Sequence, residues 1–216
     1  MIHKKDFSIV LADDHPLLLK GLNEQFRIFG YNVIGKASNG MQALELILTH
    51  NPKVAFLDID MPLLTGFEVI KMAKEKNVDT KFIILSFHKE SKFISQAKAL
   101  QLDGYLLKED SFEEIERCME AVLNGDNYFS RSFDNTSLKL ASNELDKLKH
   151  LTSSEKKILK QIAHQKTSNE IAKDLFISPR TVEKHRSNII NKLDLSTSTN
   201  TLITWALAYK DLIKEL

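Results

Sequence analysis

Cysteine is all but missing from this chain: Cys118 stands alone, and a single thiol closes no internal disulfide. The seven histidines show no metal-ligand spacing with it or with one another, so no structural metal is expected. Nothing approaches the roughly 18 uninterrupted apolar residues of a membrane span. Met1-Ile2-His3-Lys4-Lys5-Asp6 lacks the apolar core of a secretion signal, so a cytoplasmic protein without a membrane partner is expected. Net charge is lacking too, with 30 Lys and Arg against 29 Asp and Glu. The balance is uneven along the chain, however. From Leu151 onward there are 11 Lys and Arg against 7 Asp and Glu, whereas residues 1–150 carry 19 against 22. Two domains of opposite sign are implied, the basic one last, which is weak support for a nucleic-acid partner. The 216 residues, of ordinary apolar and charged content, suffice for two small domains that each bury a core.

What is present, in the first half, is alternation. Phe7 to Ala12, Val33 to Ala37, Val54 to Leu57, Phe82 to Leu85 and Gly104 to Leu107 read as strands. Between and after them, apolar residues recur at helical spacing, as in Leu17, Leu18, Leu22 and Phe26, or Ile115, Met119 and Val122. Five strand-helix repeats with short right-handed crossovers predict an α/β doubly wound, five-stranded parallel sheet with flavodoxin-like strand order.

The chemistry of that half gathers at strand ends. Val54-Ala55-Phe56-Leu57 runs into Asp58, then Asp60, Met61, Pro62 and Gly66. Asp13 and Asp14 end the first strand, Ser86 the fourth and Lys108 the fifth, so polar groups of complementary type meet at the edge where open α/β sheets hold their ligands. Taken singly, each has an ordinary duty: a turn cap, a solvated lysine, a helix cap, or core in the case of Tyr105. Unrelated structural duties would not place the whole set in this order.

Asp13-Asp14, Asp58 with Met61-Pro62 and Gly66, Ser86, and Tyr105 three residues before Lys108 resemble the receiver domain of two-component response regulators, over roughly residues 5–125. The resemblance implies Asp58 as phosphoacceptor, with Mg²⁺ held by Asp14, Asp58 and the main-chain carbonyl of Asp60, and Asp13 assisting through water. It also implies Lys108 on a phosphate oxygen, Ser86 hydrogen-bonding the new phosphoryl group, and Tyr105 as a switch that swings inward and alters the surface of the fourth helix, fifth strand and fifth helix. Such chemistry needs hard oxygen ligands and a mobile point charge, which these residues supply. Asp60 and His88 flank the pocket, at positions that vary in that family and tune phosphoryl lifetime. Phe87, where a small residue is common, departs from the pattern and would narrow access. Asp58-Ile59-Asp60 also invites comparison with haloacid-dehalogenase-type phosphatases, whose second Asp acts as acid/base, but Pro62 stands where they want Thr or Val. A self-phosphorylating and dephosphorylating receiver is expected, not a turnover enzyme.

Between residues 129 and 150 Ser, Asn, Asp and Lys predominate, predicting a linker in which Leu138, Leu140, Leu145 and Leu148 can form a short helix on one domain's surface. Beyond it, Leu151-Thr152-Ser153-Ser154-Glu155 carries a capping pattern, Thr167 caps a short second helix, and Ser178 with Pro179 opens a third, residues 178–193. Val182, Ile189, Ile190 and Leu193 form the apolar face of that helix, and Arg180, Lys184, Ser187 and Asn191 the opposite one. These are the proportions of a helix-turn-helix.

Asn169-Glu170-Ile171-Ala172, Ile177-Ser178, Thr181-Val182, His185, Asn188-Ile189 and Lys192-Leu193 resemble the LuxR-type DNA-binding domain, over residues 151–216. Gln165 stands where that family usually ends its first helix with glycine, which predicts a less sharp turn. A receiver followed by this all-α, four-helix domain is the NarL/FixJ class of response regulator, with a receiver at 1–128, a linker at 129–150 and the DNA-binding domain at 151–216. The resemblance puts Glu183, Lys184 and Ser187 nearest base edges in double-stranded DNA, with Arg180, Thr181, Arg186 and Lys192 on phosphates and His185 in a structural or phosphate contact. The last helix, about Thr199 to Lys214, is apolar on more than one face, so a homodimer through Leu202, Trp205 and Tyr209 is expected on a two-fold operator. A cognate sensor histidine kinase is the implied phosphodonor. A receiver joined to a protein-interaction adaptor that binds no DNA is the competing expectation.

Overall fold

The computed structural model describes Lys4 and residues 7–196 and 199–214. The chain divides into two compact units, residues 1–89 with 100–134 and residues 90–99 with 135–216.

The first unit is built on a parallel sheet of six strands, ordered β2-β1-β3-β4-β5-β6. They are β1 (Ser8–Ala12), β2 (Asn32–Ala37), β3 (Val54–Leu57), β4 (Lys81–Ser86), β5 (Gly104–Leu107) and β6 (Tyr128–Phe129), all pairing parallel. Helices α1 (Pro16–Ile28), α2 (Gly40–His50), α3 (Gly66–Glu75) and α5 (Phe112–Leu123) complete it. β3 and β5 are buried throughout, which explains their unbroken apolar sequences. β2, at the sheet edge, instead alternates between exposed and half-buried residues until Ala37. The sixth strand corrects the expected five. A two-residue Tyr-Phe pair is too short to show periodicity, and Gly125, at φ +93, turns the chain after α5 so that Tyr128 falls opposite Gly104 and Phe129 opposite Tyr105.

Local signals fix the helix ends. Asn39 caps α2 by accepting from Gln42 N–H, and Asn51 stops it in the left-handed region. Thr65 and Glu68 form a reciprocal capping box at α3. The next residue has to be glycine, because a Cβ on Gly66 would come within 2.2 Å of the Asp58 carbonyl oxygen. α3 therefore starts hard against the backbone of the phosphoacceptor candidate. Cys118 is wholly buried, and burial pushes its thiol far above the usual range, so it behaves as a small core residue.

The second unit is helical: α4 (Ser91–Ala99), α6 (Asn135–Lys149), α7 (Ser153–Ala163), α8 (Ser168–Asp174), α9 (Pro179–Leu193), α10 (Thr199–Ala208) and α11 (Lys210–Lys214). Two expectations change. Residues 135–149 are a 15-residue helix and no mere linker. Their polar composition hid a stripe in which Ala141 and Leu148 are buried and Leu145 packs on the core. α4 lies along α6, with Ser95 Oγ donating to the Ala141 carbonyl at 3.3 Å and Lys98 Nζ to Ser142 Oγ at 2.7 Å. The expected last helix is interrupted at Tyr209, giving α10 and α11. Leu159, Ile162, Ile171, Val182, Ile189, Leu193, Leu202 and Ala206 form the centre of the core.

The turn after α7 is fully made despite lacking glycine. Gln165 takes φ +60, its N–H reaches Ile162 O at 2.8 Å and Lys166 N–H reaches Gln161 O at 3.2 Å, the paired bonds of a Schellman stop. Among the described residues no helix is long and apolar enough to cross a membrane.

Candidate functional site

β1 and β3 lie side by side and end together, so Asp13, Asp14 and Asp58 converge. Lys108, one residue past β5, enters between them: its Nζ is 2.8 Å from Asp13 Oδ2 and 2.7 Å from Asp58 Oδ2. The lysine is steered from behind, since its backbone N–H donates to Ser86 O at the end of β4. Asp58 is 3% exposed and Asp13 5%. Two carboxylates share one ammonium in a place nearly closed to water, and that sets the electrostatics. Burial raises the Asp58 carboxyl above its ordinary value and the nearby Asp13 charge adds to this, while hydrogen bonds from Lys108 and Ile59 N–H oppose it. For Lys108, burial works against the ammonium, but its bonds to Asp13 and Asp58 outweigh burial and hold it above the usual lysine range.

The donor set suits a hard divalent cation. One ligand atom each from Asp13, Asp14, His15 and Asp58 can be chosen so that all lie within 4.8 Å of one another. Asp14 Oδ1 is shut off from solvent, its neighbour being His15 Nδ1 at 2.9 Å. His15 was not anticipated from the sequence, although the run Asp13-Asp14-His15 was the available signal. Its backbone N–H also donates to Asp13 Oδ1 at 2.8 Å, fixing that carboxylate.

The remaining expected residues form a second layer, tied together by His88. Ser86, 1% exposed, accepts from His88 N–H at 3.3 Å. The hydroxyl of Tyr105 donates to the His88 carbonyl at 3.0 Å. His88 Nε2 lies 2.6 Å from Asp60 Oδ2. Tyr105 is wholly buried, so its ring points inward. Phe87 is 60% exposed, and its ring centroid lies 5.3 Å from Lys108 Nζ.

In the second unit, Ser178 accepts from Thr181 N–H and Pro179 occupies the first turn, so α9 starts where the sequence says. Arg180, Glu183, Lys184, Ser187 and Asn191 are exposed, and Thr181 and His185 are partly so. Glu183 is hydrogen-bonded by Ser168 Oγ of α8, which holds its carboxylate against the preceding helix. Two expected contacts need correction, and a third residue is already engaged within its unit. Arg186 is 5% exposed, because it lies four residues from both Val182 and Ile190 on the buried stripe, and it is no outward phosphate contact. Lys192 is paired at 2.7 Å with Glu155, a buried carboxylate that also caps α7. Leu202, expected at a dimer face, is 0% exposed inside its own unit's core and has no surface to offer. Trp205 and Tyr209 stack with centroids 4.7 Å apart, and Trp205 Nε1 donates to Glu144 of α6 at 3.1 Å.

A six-stranded parallel sheet with this aspartate-lysine edge, followed by a helix-turn-helix, defines a receiver joined to a DNA-binding domain. Residues 9–120 match the response regulator receiver domain, and residues 149–206 match the bacterial regulatory proteins of the luxR family. The transcriptional regulatory protein MctR of Rhizobium johnstonii is 32% identical over 209 residues, covering 96% of this chain and 96% of that one. The nitrate/nitrite response regulator NarL of Escherichia coli is 30% identical, over 91% of this chain and 94% of its own. Among solved structures, a LuxR-family DNA-binding response regulator from Staphylococcus aureus is 32% identical over 54% of this chain and 98% of that chain, with a TM-score of 0.52. RcsB of Salmonella enterica serovar Typhimurium, solved on a promoter, shares the fold over 94% of this chain and 98% of its own at a TM-score of 0.64 and 21% identity. The chain belongs to the NarL/FixJ class of response regulators and is a transcription factor of that family, not a typical enzyme.

Proposed function

We propose that this transcriptional regulator is switched by Mg²⁺-dependent phosphorylation of Asp58, with residues 1–128 as receiver, 129–150 as connection and 151–216 as output. One observation carries the proposal: a nearly buried Asp58 carboxylate held 2.7 Å from Lys108 Nζ beside Asp13 and Asp14. A carboxylate oxygen of Asp58 displaces the donor's leaving group at phosphorus. The donor's P–N bond, for a phosphohistidine of a sensor kinase, breaks as the acyl-phosphate P–O bond forms, and the freed imidazole retains the electron pair. Lys108 balances charge on the incoming phosphoryl oxygens, and the Ser86 hydroxyl, whose oxygen accepts from His88 N–H, keeps its own proton to donate to them. Asp13, Asp14, Asp58 and the carbonyl of Asp60 would hold the Mg²⁺, which supplies charge neutralisation at the phosphoryl group. The donor reaches this edge past exposed Leu17 and Leu18 of α1, an apolar surface suited to a kinase helix.

Phosphorylation adds about 1.5 to 2 negative charges at one point. That is the input which Tyr105 and the output unit read. On DNA, α9 enters the major groove, with Glu183, Lys184 and Ser187 towards base edges and Arg180, Thr181 and His185 towards the backbone. A cytoplasmic homodimer through α10, using Trp205 and Tyr209, matches a two-fold operator. The direct test of the switch is intact-mass measurement after incubation with Mg²⁺ and acetyl phosphate. One added phosphoryl group on wild type and none on Asp58→Asn is expected. An unmodified wild-type chain, or equal modification of both, overturns the proposal.

A further inference from the structure

The segment after α5 is bound to the first unit more tightly than a linker needs to be. Tyr128 N–H donates to Asp103 O at 2.8 Å and Ser130 N–H to Tyr105 O at 2.8 Å, which extends the sheet past β5. Glu114, a buried carboxylate on α5 with no part in the phosphoryl chemistry, accepts from Tyr128 Oη at 2.7 Å and from Arg131 N–H at 3.1 Å. Ser132 Oγ donates to Asp110 Oδ1 at 2.7 Å, and Asp110 in turn holds Leu107 N–H, one residue before Lys108. These anchors bring Phe133, 6% exposed, edge-on to Tyr105 with ring centroids 5.0 Å apart, and Phe129 stands on the same ring at 6.3 Å. Phe133 thus packs directly on the ring of Tyr105, so a shift of one ring is felt by the other. Helix α6 begins at Asn135, two residues on.

We propose that residues 128–134 are a relay strap that hands the state of Ser86 and Tyr105 to helix α6, with Phe133 as the positioning residue. A continuous line of contacts runs from Ser86 Oγ to His88 N–H, from the His88 carbonyl to the Tyr105 hydroxyl, and from the Tyr105 ring to Phe133. Chain connectivity then carries any displacement into α6. The proposal rests on Asp58 being phosphorylated, and its test separates the two.

Trp205, the only tryptophan in the chain, reports on α6 through its bond to Glu144. Full-length wild type, Phe133→Leu and Tyr128→Phe are incubated with Mg²⁺ and acetyl phosphate. Phosphoryl content by intact mass, Trp205 emission and affinity for operator DNA are recorded with and without the donor. Wild type is expected to shift its emission and tighten on DNA about tenfold, within the usual range of coupling between two sites. At equal phosphoryl content, Phe133→Leu holds both readouts within about twofold of their unphosphorylated values, and Tyr128→Phe falls between. Wild-type responses in both variants overturn the relay while leaving the phosphorylation switch standing. If Phe133→Leu does not fold, an undiminished response in Tyr128→Phe overturns the relay by itself. A wild type that takes no phosphoryl group removes the switch and the relay together.

Discussion

At the strand edge of the first unit, the side chains of Lys108 and Asp58 are each 4% exposed and are held by one another, whereas on α9 Arg180, Lys184 and Ser187 face solvent. The difference separates two uses of charge. A buried, fully engaged pair responds strongly when one charge is added, because little water is there to screen it. Exposed groups are individually weak, and their contribution to DNA affinity is additive and salt-dependent. The first arrangement suits a switch and the second a reading surface. Glu155 and Lys192 cross the line: they sit on the reading domain but behave like the switch, with the carboxylate buried and the pair tying α7 to α9.

Removing the shared lysine has the largest expected effect. Lys108→Met leaves Asp13 and Asp58 buried without a cation and is expected to lower stability by about 3 kcal/mol at pH 7, while Lys184→Met on α9 changes it by less than about 0.5 kcal/mol. Urea denaturation of both variants measures this, and similar losses in the two would mean that buried and exposed charges contribute alike. Glu155→Gln comes next, at about 1 to 2 kcal/mol, since Lys192 is partly exposed and the pair is partly screened. Burial works against the Glu155 carboxylate, but bonds from Lys192 and Thr152 outweigh it and hold its pKa below the ordinary glutamate value. Its stabilisation is therefore complete above the unfolded pKa and is lost as pH falls through the lower folded one. Wild type and Glu155→Gln should converge in acid denaturation.

Asp58→Asn has the opposite sign. With its folded pKa raised, Asp58 favours the folded state fully only below its unfolded pKa, and that contribution is lost as pH rises through the folded pKa. Thermal melts should show Asp58→Asn more stable than wild type at pH 7, with the gain vanishing as the pH falls below the unfolded carboxyl's range. A less stable Asp58→Asn at pH 7 would mean that its pairing with Lys108 outweighs burial. The smallest change, Gln165→Gly, relieves a left-handed residue and should add about 0.5 to 1 kcal/mol to the second unit without altering DNA affinity.

Almost all of the acidic edge was legible in the sequence, because parallel strands buried on both faces announce themselves as apolar runs and their first polar residue marks the edge. Asp13, Asp14, Asp58 and Lys108 needed no further information. What escaped notice depended on packing over long separations. β6 is too short for any period and is defined by its partner β5; Glu155 and Lys192 are 37 residues apart. Arg186 was open to detection, since its spacing from Val182 and Ile190 places it on the inward stripe, but an arginine in a helix expected to read DNA suggests the opposite face. α6 hid behind lysines and asparagines on its outer side. In each case composition described the exposed surface, while the buried stripe decided the structure.

The most direct test of the central claim is a titration of operator DNA with wild type and Asp58→Asn, each with and without Mg²⁺ and acetyl phosphate. The donor is expected to tighten wild-type binding about tenfold and to leave Asp58→Asn unchanged. Equal affinities in all four conditions, or a donor response that survives in Asp58→Asn, would contradict it.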